Sequence, residues 1–320
     1  MNENGEPKTL IEALRYFSDP DRCLDFVANL RWADGQPICP TCGSPDVRFI
    51  STRRIWECKS KHTRRQFSIK IGTIFEDSAI ALDKWLAAIW MIANAKNGAS
   101  SYEIARSLGV TQKSGWFMLH RIRLAMQTEI FTKISGQIEI DETFIGGKAR
   151  NMHRSKREAQ IAGRGCVGKT AVMGLLERHG PDGHSAVRAK VVDSIRRRSL
   201  SPEVRRHVED GSEVFTDALS SYDDLGTWYE HQVINHAESY ARGKVHTNGI
   251  ENFWSLLKRA IKGTYVSVEP FHLFRYLDQQ TFRYNSRKAD DCGRFQRLLG
   301  NIEGRRLTYG DLTGATTTPC

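Results

Sequence analysis

Apolar residues in this chain recur at helical spacing in some stretches and alternate at strand spacing in others. Residues 8–33 show Leu10, Leu14 and Phe17, then Cys23, Leu24, Phe26, Val27 and Leu30, and predict a short helical lead with Cys23 as a small core residue. Residues 80–128 predict three helices. Leu82, Trp85, Leu86, Ile89, Trp90 and Ile92 form the first stripe, and Ser100-Ser101-Tyr102-Glu103 reads as a capping box opening the second. After Gly109-Val110-Thr111 comes a third, with Trp116, Leu119, Ile122 and Leu124. Helix, glycine-containing turn, helix is the helix-turn-helix pattern, although a plain three-helix bundle with a basic face has the same signature.

From residue 136 the period changes to two. Gly136–Gly147, Thr170–Leu176, Val187–Asp193 and Glu213–Asp217 predict strands, with a bulge near Asp141 and with Glu139 and Glu142 pointing away from the Asp141 face. Pro202–Glu209 predicts a short helix and Leu273–Tyr284 a late amphipathic one. Between them, Ile250, Phe253, Trp254 and Leu257 recur at i, i+3, i+4 and i+7, and Asn248, Glu251 and Lys258 share a neighbouring face. Lys148–Gly168 is basic and glycine-containing and is expected to be a mobile loop able to touch DNA; beyond about 305 the polar tail is expected to be disordered.

Composition narrows the class. With 320 residues, 40% hydrophobic and 26% charged, the chain reads as a multidomain globular protein. No apolar run reaches the roughly 20 residues that cross a bilayer, and Met1–Glu6 lacks a signal peptide's basic and apolar regions, which points to the cytoplasm and away from membranes. A net charge of +10 favours a polyanionic partner. Seven cysteines, an odd number in such a chain, argue against a disulfide framework. Four metal-type side chains suit zinc instead. Cys39-Pro40-Thr41-Cys42-Gly43 is a C-x2-C knuckle, and Cys58 and His62 supply the remaining ligands of one structural Zn2+, with ordinary buried thiols and a surface histidine as the alternative. On the third helix Gln112, Lys113, Ser114, His120, Arg121 and Arg123 suit phosphate and base-edge contacts.

Asp141 and Asp217 sit on separate predicted strands and Glu251 on a later predicted helix, an arrangement that can converge three carboxylates. Oxygen ligands suit Mg2+ or Mn2+, and two such ions about 3.5–4 Å apart promote in-line phosphoryl displacement. Each aspartate alone has an ordinary reading as a strand end or cap, with Asp193, Asp223 and Asp224 as rivals. Lys258, a cation, would meet a phosphate of DNA rather than a metal.

Zinc knuckle, helix pair, Ile138-Glu139-Ile140-Asp141-Glu142-Thr143, Phe215-Thr216-Asp217 and His246-x-Asn248-Gly-Ile-Glu251-Asn-Phe-Trp-Ser together resemble one family. It is the bacterial insertion-sequence transposases with a zinc-ribbon head and an ISXO-like DDE domain. Phe67-Ser68, Gly72-Thr73-Ile74-Phe75 and Phe282-Arg283-Tyr284-Asn285 fit it as well, so the resemblance spans roughly residues 10–290. It implies an α+β chain with a zinc ribbon (35–76) after the helical lead (1–34), a helix-turn-helix (80–130), an RNase H-like core (136–290) and a C-terminal tail (291–320). It also implies two Mg2+ or Mn2+ ions on Asp141, Asp217 and a third residue. The family varies at that third position, so Asn248 and Glu251 both stay open. Here Cys58-x3-His62 stands where relatives carry a second Cys-x2-Cys. The implied partners are double-stranded DNA, both element inverted repeats and target, and a second copy of the chain, since two ends must be paired. Two other readings compete. Gly163–Thr170 matches the G-x4-G-K-T phosphate loop, although its upstream neighbours are too polar for a buried strand. A zinc-ribbon and helix-turn-helix regulator without catalysis would need no carboxylate triad.

Overall fold

The computed structural model describes residues 7–127, 132–147, 168–180, 182–234 and 246–314. These fall into two compact units, one of residues 1–126 with 288–320 and one of residues 127–287. No helix among the described residues is long and apolar enough to cross a membrane.

In the first unit, α1 (Leu10–Tyr16) and α2 (Pro20–Arg31) form the expected lead. Cys23 is fully buried, its thiol donates to the Phe17 carbonyl at 3.1 Å, and burial pushes its pKa up to about 12. A small antiparallel sheet follows, with β1 (Val47–Ile50), β2 (Ile55–Cys58) and β3 (Gln66–Phe67) in that order. Trp56 on β2 packs edge-on against Trp32 and stacks with Phe67.

The helical block then runs through α3 (Leu82–Asn94), α4 (Ser101–Leu108) and α5 (Gln112–Met126). The capping box is formed: Glu103 N–H donates to Ser100 Oγ and Ser100 N–H to the Glu103 carboxylate. Gly109 ends α4 at φ +60, a left-handed conformation that glycine takes without penalty. On α5, Gly115 lets the helices meet, since a Cβ there would lie 2.9 Å from the Ser101 carbonyl oxygen. The expected DNA-facing cations of α5 are inside. His120, Arg121 and Arg123 are 0%, 3% and 1% exposed, and Arg121 donates to the carbonyls of Leu307, Ile74 and Glu76. Only Gln112 and Lys113 of the proposed set face solvent.

The stretch 291–320, expected to be a tail that is disordered beyond about 305, carries two helices among its described residues. α9 (Asp291–Leu299) and α10 (Tyr309–Thr313) belong to this unit, with Phe295 buried and its ring centroid 4.9 Å from that of Trp90.

The second unit is built on a five-stranded mixed sheet of order β6-β5-β4-β7-β8. Strands β4 (Gln137–Ile145), β5 (Thr170–Arg178) and β6 (Ala186–Val192) are antiparallel; β7 (Glu213–Asp217) and β8 (Glu230–Ile234) continue parallel to β4. Ile138 and Ile140 join Met173 and Leu175 in one core cluster with Leu200 and Val204 of α6 (Arg197–His207). Val172 and Leu176 join Ile250, Phe253, Trp254 and Leu257 of α7 (Asn248–Ala260), and Leu277 of α8 (Leu273–Asn285), in another. The alternation along β5 thus sends successive side chains to opposite faces. The bulge expected near Asp141 is absent, because β4 pairs with β5 without interruption from Gln137 to Ile145 and Ile138, Ile140 and Phe144 share one parity.

Candidate active site

Asp141 lies in mid-β4 directly opposite Gly174 of β5. On its other side β4 pairs with β7 in the register Glu139 to Phe215, and Asp141 and Asp217 are each two residues further along. Both therefore leave the sheet on the face covered by α7. The helix can come close because β5 has no side chain at Gly174. A Cβ there would lie 2.5 Å from Trp254 Cζ2 and 2.7 Å from Ile250 Cδ1. Trp254 fills that space and its indole Nε1–H donates to Asp141 Oδ2 at 3.0 Å.

Glu251, on the first turn of α7, is half-buried and accepts a hydrogen bond from Thr247 Oγ1 at 3.0 Å. Burial pushes the Asp141 carboxyl up to about 6, and the Asp217 and Glu251 carboxylates push it the same way, against the hydrogen bonds it accepts from the Glu142 backbone and Trp254. Glu142 is pushed further, to about 9, by burial and by Asp141 and Asp217. Four acidic side chains thus share one neighbourhood. Asn248 opens α7 and is exposed, and Lys258 stands two turns beyond Glu251, half-buried.

These acids fit a divalent cation. Asp217 Oδ1 is buried without a hydrogen-bond partner among the described residues, and such a carboxylate oxygen is costly unless something positive meets it; Glu142 Oε1 is also unpartnered, but Glu142 leaves β4 on the other face, as its position in the strand predicts. Their oxygens are not drawn into a ready-made cluster; among the described residues only Cys39, Cys42, Cys58 and His62 are.

The sulfur and nitrogen site is tighter. Gly43 at φ +73 closes the knuckle that carries Cys39 and Cys42, Cys58 ends β2, and His62 follows in the next loop. All four ligand atoms lie within 4.8 Å of one another, with Cys39 Sγ 3.4 Å from His62 Nε2 and Cys42 Sγ 3.7 Å from Cys58 Sγ. The edges of a tetrahedral zinc site are roughly 3.6 Å between thiolate and imidazole and 3.8 Å between thiolates, so the set fits Zn2+.

Glu139 corrects the sequence reading. It shares the parity of Asp141, faces α7 and is 1% exposed, where it was expected on the opposite face. Period-two alternation alone puts Glu139 on the face of Asp141 and only Glu142 on the other, so that expectation misapplied the strand period; the close approach at Gly174 has no local signature, since it depends on which strand pairs with which. The phosphate-loop reading fails at its downstream end. Thr170 begins strand β5, whereas a phosphate loop opens a helix. Residues 163–167 of that motif, and most of the basic stretch Lys148–Gly168, lie outside the described residues.

The sequence matches known transposase domains. An ISXO2-like transposase domain matches residues 133–285 and a transposase zinc-ribbon domain residues 18–63. The chain is similar to a protein of the transposable element ISH50 in Halobacterium salinarum, 27% identical over 256 residues that cover 77% of this chain and 84% of that one. It is also similar to a transposase-like protein of Haemophilus influenzae, 33% identical over 97 residues that cover 30% of this chain and 78% of the relative. The chain belongs to the insertion-sequence transposases that combine a zinc ribbon with an ISXO2-like DDE domain.

Proposed function

We propose that this chain is a DNA transposase that binds the ends of an insertion sequence and catalyses metal-dependent cleavage and strand transfer. The observation that carries the reading is the placement of Asp141 and Asp217 at matching positions of two parallel neighbouring strands, on the sheet face packed against the helix that carries Glu251. A five-stranded sheet with three antiparallel strands, then two parallel, and the first aspartate on the central strand supports an RNase H-like core. Asp141, Asp217 and Glu251 would hold two Mg2+ or Mn2+ ions, and Glu142 stands close enough to affect their charge balance. The ions would supply an activated oxygen nucleophile and a stabilised leaving oxygen, for water at the element end and then for the freed 3′-hydroxyl at target DNA.

The chain's own residues hold and orient. Asp141 gives up its proton before it can ligate, Trp254 favours the ionised form by donating to it, and Lys258 contacts a phosphate of the bound DNA. Glu251 is favoured over Asn248 as the third ligand because a divalent cation prefers a negatively charged carboxylate oxygen to a neutral amide. Helices α4 and α5 serve as the helix-turn-helix, read through the exposed Gln112 and Lys113 at the start of the second helix, the end that meets base edges in such motifs. A second copy of the chain pairs the two element ends.

The test is cleavage of a duplex carrying the element end, with Mg2+ or Mn2+. Asp141→Asn, Asp217→Asn and Glu251→Gln should each abolish cleavage and strand transfer while end binding persists, and Lys258→Ala should slow the reaction without abolishing it. Loss of cleavage in Asn248→Ala with Glu251→Gln still active would move the third ligand to Asn248. End binding without any cleavage by the unaltered protein would favour the non-catalytic regulator.

A further inference from the structure

Glu139 and Arg178 form a buried ion pair that touches every element carrying an acid of the site. Arg178 ends β5, on the face that α7 covers. Its Nε donates to Glu139 Oε1 at 2.6 Å, with 8% and 1% of the two side chains exposed. Its Nη2 donates to the His246 backbone carbonyl and lies 2.8 Å from His246 Nδ1, just before α7. Its guanidinium carbon sits 4.4 Å from the centroid of the Phe215 ring on β7. The other Glu139 oxygen, Oε2, accepts from the Ile250 N–H of α7 at 2.9 Å.

The last of these contacts replaces a helix cap. First-turn N–H groups have no partner inside their own helix. Thr247, the residue in the cap position, makes no capping hydrogen bond and instead donates to Glu251. Glu139 does the capping from the neighbouring strand, and its negative charge suits the positive end of the helix. Gly249 permits the approach: a Cβ there would lie 2.9 Å from Glu139 Oε2, 3.1 Å from Oε1 and 3.0 Å from Leu176 Cδ1.

Each anchor stands next to an acid. Glu139 is two residues before Asp141, Phe215 two before Asp217, and Ile250 one before Glu251. Glu139 is not itself free to ligate, because both its oxygens are engaged and its charge is matched by Arg178. We propose that Arg178 and Glu139 are positioning residues that set the spacing of Asp141, Asp217 and Glu251 and thereby tune the affinity of that set for a divalent cation. The proposal rests on the metal-binding reading of the acids. Replacing a buried ion pair by well-packed apolar residues is often neutral for stability, so net stability alone does not call for this one.

The experiment is Mn2+ binding to the full-length, zinc-loaded protein, read by the electron paramagnetic resonance signal of free Mn2+, beside thermal melting of the same samples without Mn2+. Asp141→Asn should abolish binding. Glu139→Gln keeps an acceptor for Ile250 but loses the charge pair; Arg178→Lys keeps the charge but not the planar fork that reaches Glu139 and His246 together. Each should weaken Mn2+ affinity about 10- to 100-fold, the usual cost of losing a group that orients metal ligands. Folded Glu139→Gln and Arg178→Lys proteins with wild-type Mn2+ affinity, whatever their melting temperatures, overturn the proposal and leave a structural ion pair. Gly249→Ala decides the matter if those variants do not fold. It removes no charge but crowds Glu139, so it should weaken Mn2+ binding, and unchanged affinity again overturns the proposal. Wild-type protein that binds no Mn2+, or Asp141→Asn protein that binds it normally, refutes the metal-site reading beneath.

Discussion

Asp141 and Glu142 are held from water beside other acids, and their proton affinity follows. Their pKa values rise from ordinary values of 3.8 and 4.5 to about 6 and about 9, through burial first and neighbouring carboxylates second. The folded protein therefore binds more protons than the unfolded chain between about pH 4 and pH 9, and its stability falls as pH rises through that window. We expect the melting temperature without divalent cations to drop from pH 6 to pH 9, and Glu142→Gln to flatten the drop. A melting temperature independent of pH in both proteins would rule out the buried ionisation. Asp141→Asn should stabilise the cation-free protein at pH 8 by about 1–3 kcal/mol, measured by urea denaturation. Trp254→Phe removes the N–H that favours ionised Asp141, together with ring volume over Gly174 that lowers stability, so Mn2+ binding should weaken most near pH 6 and recover as pH rises, whereas the loss of packing is the same at every pH. The acids themselves were legible in the sequence, because each ends or interrupts an apolar pattern. Glu139, Gly174 and the indole of Trp254 were not. Their roles arise from the pairing of β4 with β5 and the seating of α7, which link residues far apart in the chain.

Elements of strong period came through well: α3, α4, α7 and β7 fall where the apolar spacing put them. What spacing could not tell is which charged residues face inward. α5 carries cations on a helix covered on several sides, and arginine can be buried when carbonyls receive its N–H groups. Arg121→Ala should therefore act on stability, costing about 2–4 kcal/mol in chemical denaturation, because it leaves three buried carbonyls without their donor. Gln112→Ala with Lys113→Ala should leave stability within about 0.5 kcal/mol and weaken binding to element-end duplex. The opposite pattern would restore the buried face to recognition. The ribbon strands are four, four and two residues long, too short to be stable alone, so we expect the sheet to depend on zinc at its Cys3His set as well as on the packing of Trp32, Trp56 and Phe67. Elemental analysis should find about one zinc per chain, and removing it should abolish the near-ultraviolet dichroism that the packed Trp32 and Trp56 contribute. Protein that is folded and free of zinc would remove the site.

At the scale of the whole molecule the two units differ in how the chain builds them. The second unit is one continuous segment, residues 127–287, whereas the first unit needs residues from both ends of the sequence. That return was illegible because the stretch beyond 291 is polar and glycine-containing, and its few apolar residues look like tail until they meet α3. In the structure Phe295 lies against Trp90, Arg294 Nε donates to Asn94 Oδ1 at 2.8 Å, and Ile74 N–H donates to the Ile302 carbonyl at 3.0 Å. The Leu307 carbonyl receives Arg121 Nε at 3.0 Å. Ending the chain after Arg287 would uncover Trp90, which is 2% exposed, and remove one acceptor of the buried Arg121. Such a truncation should unfold or strongly destabilise the helical block, since taking a single large aromatic such as Phe295 out of a packed core costs about 3–5 kcal/mol. The second unit takes none of its residues from this segment, so the proposed Mn2+ binding by Asp141, Asp217 and Glu251 should survive in the same protein. Limited proteolysis with Mn2+ titration separates the cases: a protected fragment near residues 127–287 that still binds Mn2+ is the expected result. Loss of binding together with the helical block would mean that the two units do not fold independently.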